Sequence, residues 1–137
     1  MLIQPKFFKD EIEMLKAVGD RVAGKMKIMY DAACHLNTLS DALEVGRVCD
    51  EYGFYWYEDP YKDGGVSING NQVLAQKLST PILVGEHVRN LETSVDMLVN
   101  GSSFFSRADP DYDGGITGSY KLVLASEGLG MDCEIHS

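Results

Sequence analysis

The chain has 137 residues, 45% hydrophobic and 24% charged, which suffices for one domain with a buried core and excludes a disordered or low-complexity protein. Its 12 basic and 21 acidic residues give a net charge of −9, and without a basic cluster we expect neither a nucleic-acid partner nor an anionic membrane surface. No apolar run approaches the roughly 20 residues of a membrane span, and we expect no signal peptide.

The three cysteines indicate a reducing compartment. Cys34, Cys49 and Cys133 form no CxxC pair, and their odd number leaves one without a disulfide mate. Reduced thiols are the simplest interpretation, so we predict a cytoplasmic protein.

Helix-like and strand-like stretches alternate along the chain. A helix over residues 10–18 has apolar positions at helical spacing and ends at Gly19, and a strand follows at 26–30. Thr38 and Asp41 form a capping-box pattern that opens a helix ending at Gly53. The same reasoning predicts strands at 54–57, 82–84, 104–108 and 131–135, helices at 73–78, 91–99 and 116–127, and the tail of an earlier strand at 2–4.

This alternation predicts a parallel sheet with helical crossovers, either an open doubly wound sheet or a barrel. One ionisable residue follows each strand, with spacings of 27, 28, 23 and 27 residues along the series: Asp31, Glu58, Glu86, Asp109 and His136. A barrel gathers all its carboxyl strand ends at one face, whereas an open sheet gathers only one or two of them. The acids at four consecutive strand ends therefore favour the barrel.

Three of these residues are candidate metal ligands. Asp31, Glu58 and Glu86 belong to adjacent strands, and three neighbouring carboxylates need a compensating cation. Oxygen-only ligands point to Mg²⁺, with Mn²⁺ as the alternative. Within the strand, the period of two places Phe54 and Trp56 on the Glu58 face, inside the barrel. It turns Asp59 outward, as a loop or helix partner.

The last two strand-end residues are candidates for acid–base catalysis. A carboxylate at Asp109 would orient the His136 ring, making a general base that faces the metal site. His35 and His87 lie in the loops after the first and third metal ligands, and we predict them as candidate substrate contacts. Arg107 is a further substrate-contact candidate, although it could instead pair with Glu134 inside the barrel.

Five stretches together resemble the enolase superfamily, in its mandelate racemase/muconate lactonizing enzyme-like branch. They are "MYDAAC" (29–34), "WYEDP" (56–60), "LVGEH" (83–87), "RADPDYDGGITG" (107–118) and "EIHS" (134–137). Their order and spacing over almost the whole chain make the resemblance specific.

The resemblance implies a partial (β/α)8 TIM-type barrel with about five complete parallel strands and flanking helices. It implies ligand roles for Asp31, Glu58 and Glu86, and a base formed by His136 with Asp109. The chemistry of that branch is abstraction of the proton next to a carboxylate, with Mg²⁺ stabilising the enediolate. Ala33 stands where branch members commonly carry an amide.

The length predicts that residues 1–137 form a single partial barrel domain. The capping domain, the remaining strands and the strand carrying the family's lysine acid/base are not in this sequence.

We expect a lyase that dehydrates a sugar acid. A racemase or epimerase of a 2-hydroxy acid stays open, as does an inert fragment with an oligomerising or structural role. Its uncovered edges predict a homo-oligomer or self-association.

Overall fold

The computed structural model describes residues 5–62 and 66–136. Helices and strands alternate over these residues as α1 (Pro5–Val22), β1 (Met29–Asp31), α2 (Leu39–Tyr52), β2 (Trp56–Glu58), α3 (Ile68–Lys77), β3 (Ile82–Val84), α4 (Leu91–Val99), β4 (Phe105–Ala108), α5 (Gly115–Gly128) and β5 (Cys133–Ile135). The predicted strand tail at residues 2–4 lies outside the described residues.

The strands form one parallel sheet in the order β1-β2-β3-β4-β5, which is the order of the chain. Asp31 pairs with Glu58 and Glu58 with Leu83, so the first strand ends lie side by side. Consecutive pairing with a helix between successive strands is the arrangement of a barrel, since an open doubly wound sheet reverses its strand order. The predicted partial TIM-type barrel is confirmed as a half-barrel with flanking helices.

Helix α2 begins and ends where the capping signals predict. The Thr38 hydroxyl accepts a hydrogen bond from the Asp41 backbone N–H (3.1 Å), and the Asp41 carboxylate accepts one from the Thr38 N–H (3.2 Å). Gly53 closes the helix with a φ of 64°, a left-handed conformation that glycine adopts without a steric penalty. No helix within 5–62 and 66–136 combines the length and apolar character that crossing a membrane requires.

Two helices differ from their predicted bounds. Helix α1 begins at Pro5, five residues before its predicted start, and it continues through Gly19 to Val22. Gly19 lies inside the helix where a Cβ would be only 2.3 Å from the Tyr52 ring of α2, so it serves a close helix contact. Helix α3 starts at Ile68, five residues before its predicted start, because the Ser67 hydroxyl caps it by accepting from the Gly70 N–H (3.1 Å).

The main core lies between the sheet and helices α1 to α4. It contains fully buried side chains such as Val45, Leu74 and Ile82, together with Phe54 and Tyr57. The predicted position of Phe54 inside the barrel is therefore wrong, because β2 begins only at Trp56 and the alternation does not extend back to it. Trp56, the first residue of β2, packs against the Phe105 ring of β4, with ring centroids 5.7 Å apart.

The half-barrel ends on two strands that have one neighbour each in the described sheet, β1 and β5. Met29 on β1 is 49% exposed and Ile135 on β5 is 56% exposed. Unpaired edges beside apolar side chains favour pairing with further chains. We therefore expect the isolated chain to self-associate in sedimentation velocity experiments. A monodisperse monomer that melts in one cooperative transition would contradict this prediction.

Candidate metal and acid–base site

Three carboxylates meet at the carboxyl ends of β1, β2 and β3. Asp31 and Glu58 are the last residues of their strands, and Glu86 lies two residues beyond β3. One carboxylate oxygen from each residue lies within 4.8 Å of the other two. Ligand oxygens around an octahedral Mg²⁺ are about 3 to 4 Å apart, given bonds of roughly 2.1 Å. Small side-chain rotations would therefore bring these oxygens into that arrangement.

Local backbone geometry places the first and third carboxylates. The Asp31 carboxylate accepts a hydrogen bond from the Ala33 N–H (2.7 Å), which fixes it against its own loop. Gly85 leads into Glu86 with a φ of 146°, and a Cβ there would lie only 2.8 Å from the Arg107 carbonyl oxygen. Only glycine combines that backbone angle with such a close approach.

Glu58 is the most buried of the three, and both its oxygens have donors. The Trp56 indole N–H donates to Oε2 (3.1 Å), and the Arg107 guanidinium pairs with Oε1. Burial raises the pKa of Glu58, and the nearby Asp31 charge adds to this, while Arg107 opposes both. The raised pKa means that the site disfavours its own negative charge and would gain from a cation.

The alternative pairing of Arg107 with Glu134 is wrong. These residues are backbone neighbours in the β4–β5 register, but no ion pair joins them in the part of the chain described. Arg107 reaches instead across the sheet interior to Glu58, whose buried charge needs compensation more than the half-buried Glu134 does. Whether Arg107 also contacts substrate stays a prediction.

Asp109 and His136 form a hydrogen-bonded pair at the ends of β4 and β5. The His136 Nδ1 lies 2.8 Å from Asp109 Oδ2, and the Asp111 N–H donates to the other Asp109 oxygen (2.8 Å). Burial raises the pKa of Asp109, but the hydrogen bonds from His136 and Asp111, with the His136 charge, outweigh it and leave the pKa lowered. Asp109 therefore stays ionised and orients the ring.

The second nitrogen of the His136 ring faces the carboxylates. Its Nε2 lies 3.9 Å from Glu86 Oε1, and the ring is 39% exposed. A hydrogen bond from Nδ1–H to Asp109 leaves the basic lone pair on Nε2. The dyad can accept a proton from a molecule bound beside the three acids.

The two other histidines have different positions. His35 is exposed in the loop after β1. His87 Nε2 lies 3.7 Å from Glu86 Oε1, and its side chain is 37% exposed. It follows β3 rather than belonging to it, so strand alternation does not decide its direction. Substrate contacts by either residue stay predictions.

Asp59, like Phe54, lies elsewhere than the strand period predicts. It was predicted as an outward loop or helix partner, but it is fully buried. It lies beyond β2 with a φ of 37°, so the strand period does not apply to it. Burial, then the charges of Glu58, Glu86 and Asp31, raise its pKa to about 8. The following Pro60 is no help here, because a residue before proline is normally extended, whereas Asp59 has a left-handed φ.

Comparisons with known proteins agree on one family. The family model described as "Enolase C-terminal domain-like" matches residues 3–137. L-talarate/galactarate dehydratase of Salmonella typhimurium is 26% identical over 114 residues, covering 83% of this chain and 28% of the relative. N-succinylamino acid racemase of Amycolatopsis is 26% identical over 125 residues, covering 90% of this chain and 33% of the relative.

A solved structure shares the fold of this chain. D-glucarate dehydratase from Agrobacterium tumefaciens, complexed with magnesium, superposes with a TM-score of 0.85 and 27% identity, covering 95% of this chain and 33% of that one. The chain thus spans about a third of the length of the proteins that it matches.

Proposed function

Because the chain belongs to the enolase C-terminal domain-like family, we propose that it carries the metal-binding and proton-abstracting part of a lyase that dehydrates a sugar acid. The observation that carries the proposal is the position of His136 Nε2, 3.9 Å from Glu86, which belongs to a cluster of three carboxylates. A base beside a cation site suits removal of a proton next to a carboxylate.

The three acids fit Mg²⁺ by their chemistry. All the donors offered by Asp31, Glu58 and Glu86 are carboxylate oxygens, which hard cations prefer, with Mn²⁺ as a second candidate. The raised pKa of Glu58 supports a cation as the missing partner. When bound there, Mg²⁺ would supply positive charge against the negative charge that develops on the substrate carboxylate.

His136 would act as the proton carrier. With Asp109 holding Nδ1, the ring can take the α-proton of the substrate on Nε2. The same nitrogen, once protonated, could donate to the departing hydroxyl and complete the dehydration. The buried Asp109, whose lowered pKa keeps it ionised, stabilises the charged ring in between.

The substrate class rests on the relatives. The Salmonella protein is a sugar-acid dehydratase, and so is the Agrobacterium protein, which was crystallised with magnesium. The Amycolatopsis relative, at similar identity, is a racemase, so a racemase or epimerase remains the second candidate. Racemisation needs a second base on the opposite face of the substrate, whereas dehydration can proceed from one side.

A panel of sugar acids distinguishes these candidates. We expect one or more acids to lose water with Mg²⁺ present, giving a 2-keto product detectable as its semicarbazone, and to be unchanged with excess chelator. Recovery of the acid with inverted configuration at its α-carbon, and without a keto product, would favour the epimerase. No reaction with any acid, and no deuterium uptake at the α-carbon in D₂O, would favour an inert fragment and contradict the proposal.

A further inference from the structure

A second cluster of metal-ligating side chains lies beside the three acids. Cys34, Asp59 and His87 follow β1, β2 and β3, one to three residues beyond Asp31, Glu58 and Glu86 in turn. One ligand atom from each of the three, a sulfur, a carboxylate oxygen and a ring nitrogen, lies within 4.8 Å of the others. The two clusters share no residue.

Asp59 supplies an independent sign that a ligand belongs in this second cluster. Its side chain is completely buried, and neither carboxylate oxygen has a hydrogen-bond partner among the described residues. A buried carboxylate without donors is unfavourable unless a cation or a proton compensates it. The neighbouring acids add negative charge rather than relieve it, and the sulfur and imidazole nitrogen nearby are electron-pair donors.

A backbone hydrogen bond links Cys34 and Asp59. The Cys34 N–H donates to the Asp59 carbonyl (2.8 Å), and the Asp59 N–H donates to the Leu83 carbonyl (3.0 Å). Cys34 and Asp59 also have φ angles of 59° and 37°, which non-glycine residues rarely adopt. The backbone at Cys34 and Asp59 is therefore fixed by hydrogen bonds that link the loop after β1, the residue after β2 and strand β3.

The donor set differs in kind from that of the three acids. A thiolate, an imidazole and a carboxylate together suit a borderline-soft divalent cation, and Zn²⁺ above all, whereas Mg²⁺ prefers oxygen alone. Tetrahedral Zn²⁺ with bonds of about 2.0 to 2.3 Å keeps its ligand atoms roughly 3.3 to 3.8 Å apart. That spacing is within reach of small rotations in this cluster.

We infer that Cys34, Asp59 and His87 form a second metal site, which takes Zn²⁺ through three protein ligands and leaves a fourth position for water or a small ligand. Binding would release the thiol proton of Cys34 to solvent. Since Asp59 and His87 directly follow Glu58 and Glu86, the ion would also fix the backbone beside two of the three acids. The inference does not depend on the proposed dehydration.

Cobalt titration of the full chain tests the site. Co²⁺ replaces Zn²⁺ in such sites and gives a thiolate-to-metal charge-transfer absorption together with tetrahedral visible bands. We expect the wild-type chain to develop both, and added Zn²⁺ to remove them. Cys34→Ser should abolish the charge-transfer absorption, and Asp59→Asn or His87→Gln should weaken Co²⁺ binding roughly 100-fold or more, since even outer-shell changes cost 10- to 100-fold.

Two control variants separate this site from others. Cys133→Ser changes another half-buried cysteine and should leave the absorption intact. Asp31→Asn alters the exposed member of the three acids and should also preserve it, while weakening Mg²⁺ binding. Circular dichroism without metal checks that each variant is folded. A wild-type spectrum without thiolate charge transfer at saturating Co²⁺, or an unchanged spectrum in folded Cys34→Ser, would overturn the inference.

Discussion

Replacing His136 with Asn is expected to slow α-proton exchange and dehydration about 10²- to 10⁴-fold, the usual contribution of a positioned general base. Asn fills similar space and can still hydrogen-bond Asp109, but it has no basic nitrogen to face the carboxylate cluster. The ring is 39% exposed, so its loss should affect folding little. Deuterium uptake at the α-carbon, followed by NMR in D₂O, measures the effect.

Two further variants make this result specific to the base. Glu134→Gln changes a half-buried acid two residues before His136 that lies in no described ion pair, and exchange should stay within about twofold of wild type. Asp109→Asn should lower the rate less than His136→Asn, since it removes the orienting charge but keeps the base. Exchange by His136→Asn at more than half the wild-type rate would contradict the assigned role.

Replacing Arg107 with Met is expected to destabilise the metal-free chain by about 3 to 5 kcal/mol, the usual cost of removing one partner from a buried ion pair. The side chains of Arg107 and Glu58 are only 12% and 9% exposed, so solvent would compensate the remaining carboxylate poorly. Urea denaturation at one fixed protein concentration measures the loss. The double variant Arg107→Met/Glu58→Gln should recover much of it, because no uncompensated charge then remains.

Arg89→Met provides the matched control. Arg89 is exposed and stacks on the Tyr112 ring, 4.6 Å from its centroid, and removing such a contact costs about 1 kcal/mol or less. Saturating Mg²⁺ should restore part of the stability lost in Arg107→Met, since a bound cation compensates the same carboxylate. A loss below about 1 kcal/mol in Arg107→Met, or no recovery in the double variant, would contradict this account.

The sequence predicted the arrangement of elements because two periodicities dominate it. Helical spacing and short apolar runs alternate, and each strand is followed by an ionisable residue, so the order of the sheet follows from parallel connections. The convergence of Asp31, Glu58 and Glu86 follows from the same regularity, since adjacent parallel strands end at one edge. Their role as ligands is not tested by the fold and stays a prediction.

The features that could not be predicted depend on contacts between distant parts of the chain. Asp59 follows a strand whose end is set by a left-handed backbone conformation, so the period of two misdirects it. Arg107 pairs with Glu58, two strands away, and not with Glu134, its neighbour in the β4–β5 register. The burial of a carboxylate decides where a compensating charge is needed, and the strand register does not. Gly19 resembles a helix end, but its role is to admit the Tyr52 ring.

Calorimetric titration of the chain with Mg²⁺ tests the central claim, that three strand-end carboxylates form one cation site. We predict one ion per wild-type chain, binding lost in Glu58→Gln and in Asp31→Asn, and binding kept in Glu134→Gln. Asp31 is exposed, so its variant tests the site without risk to the fold. No Mg²⁺ binding by the wild-type chain, or equal binding by wild type and both ligand variants, would contradict the account.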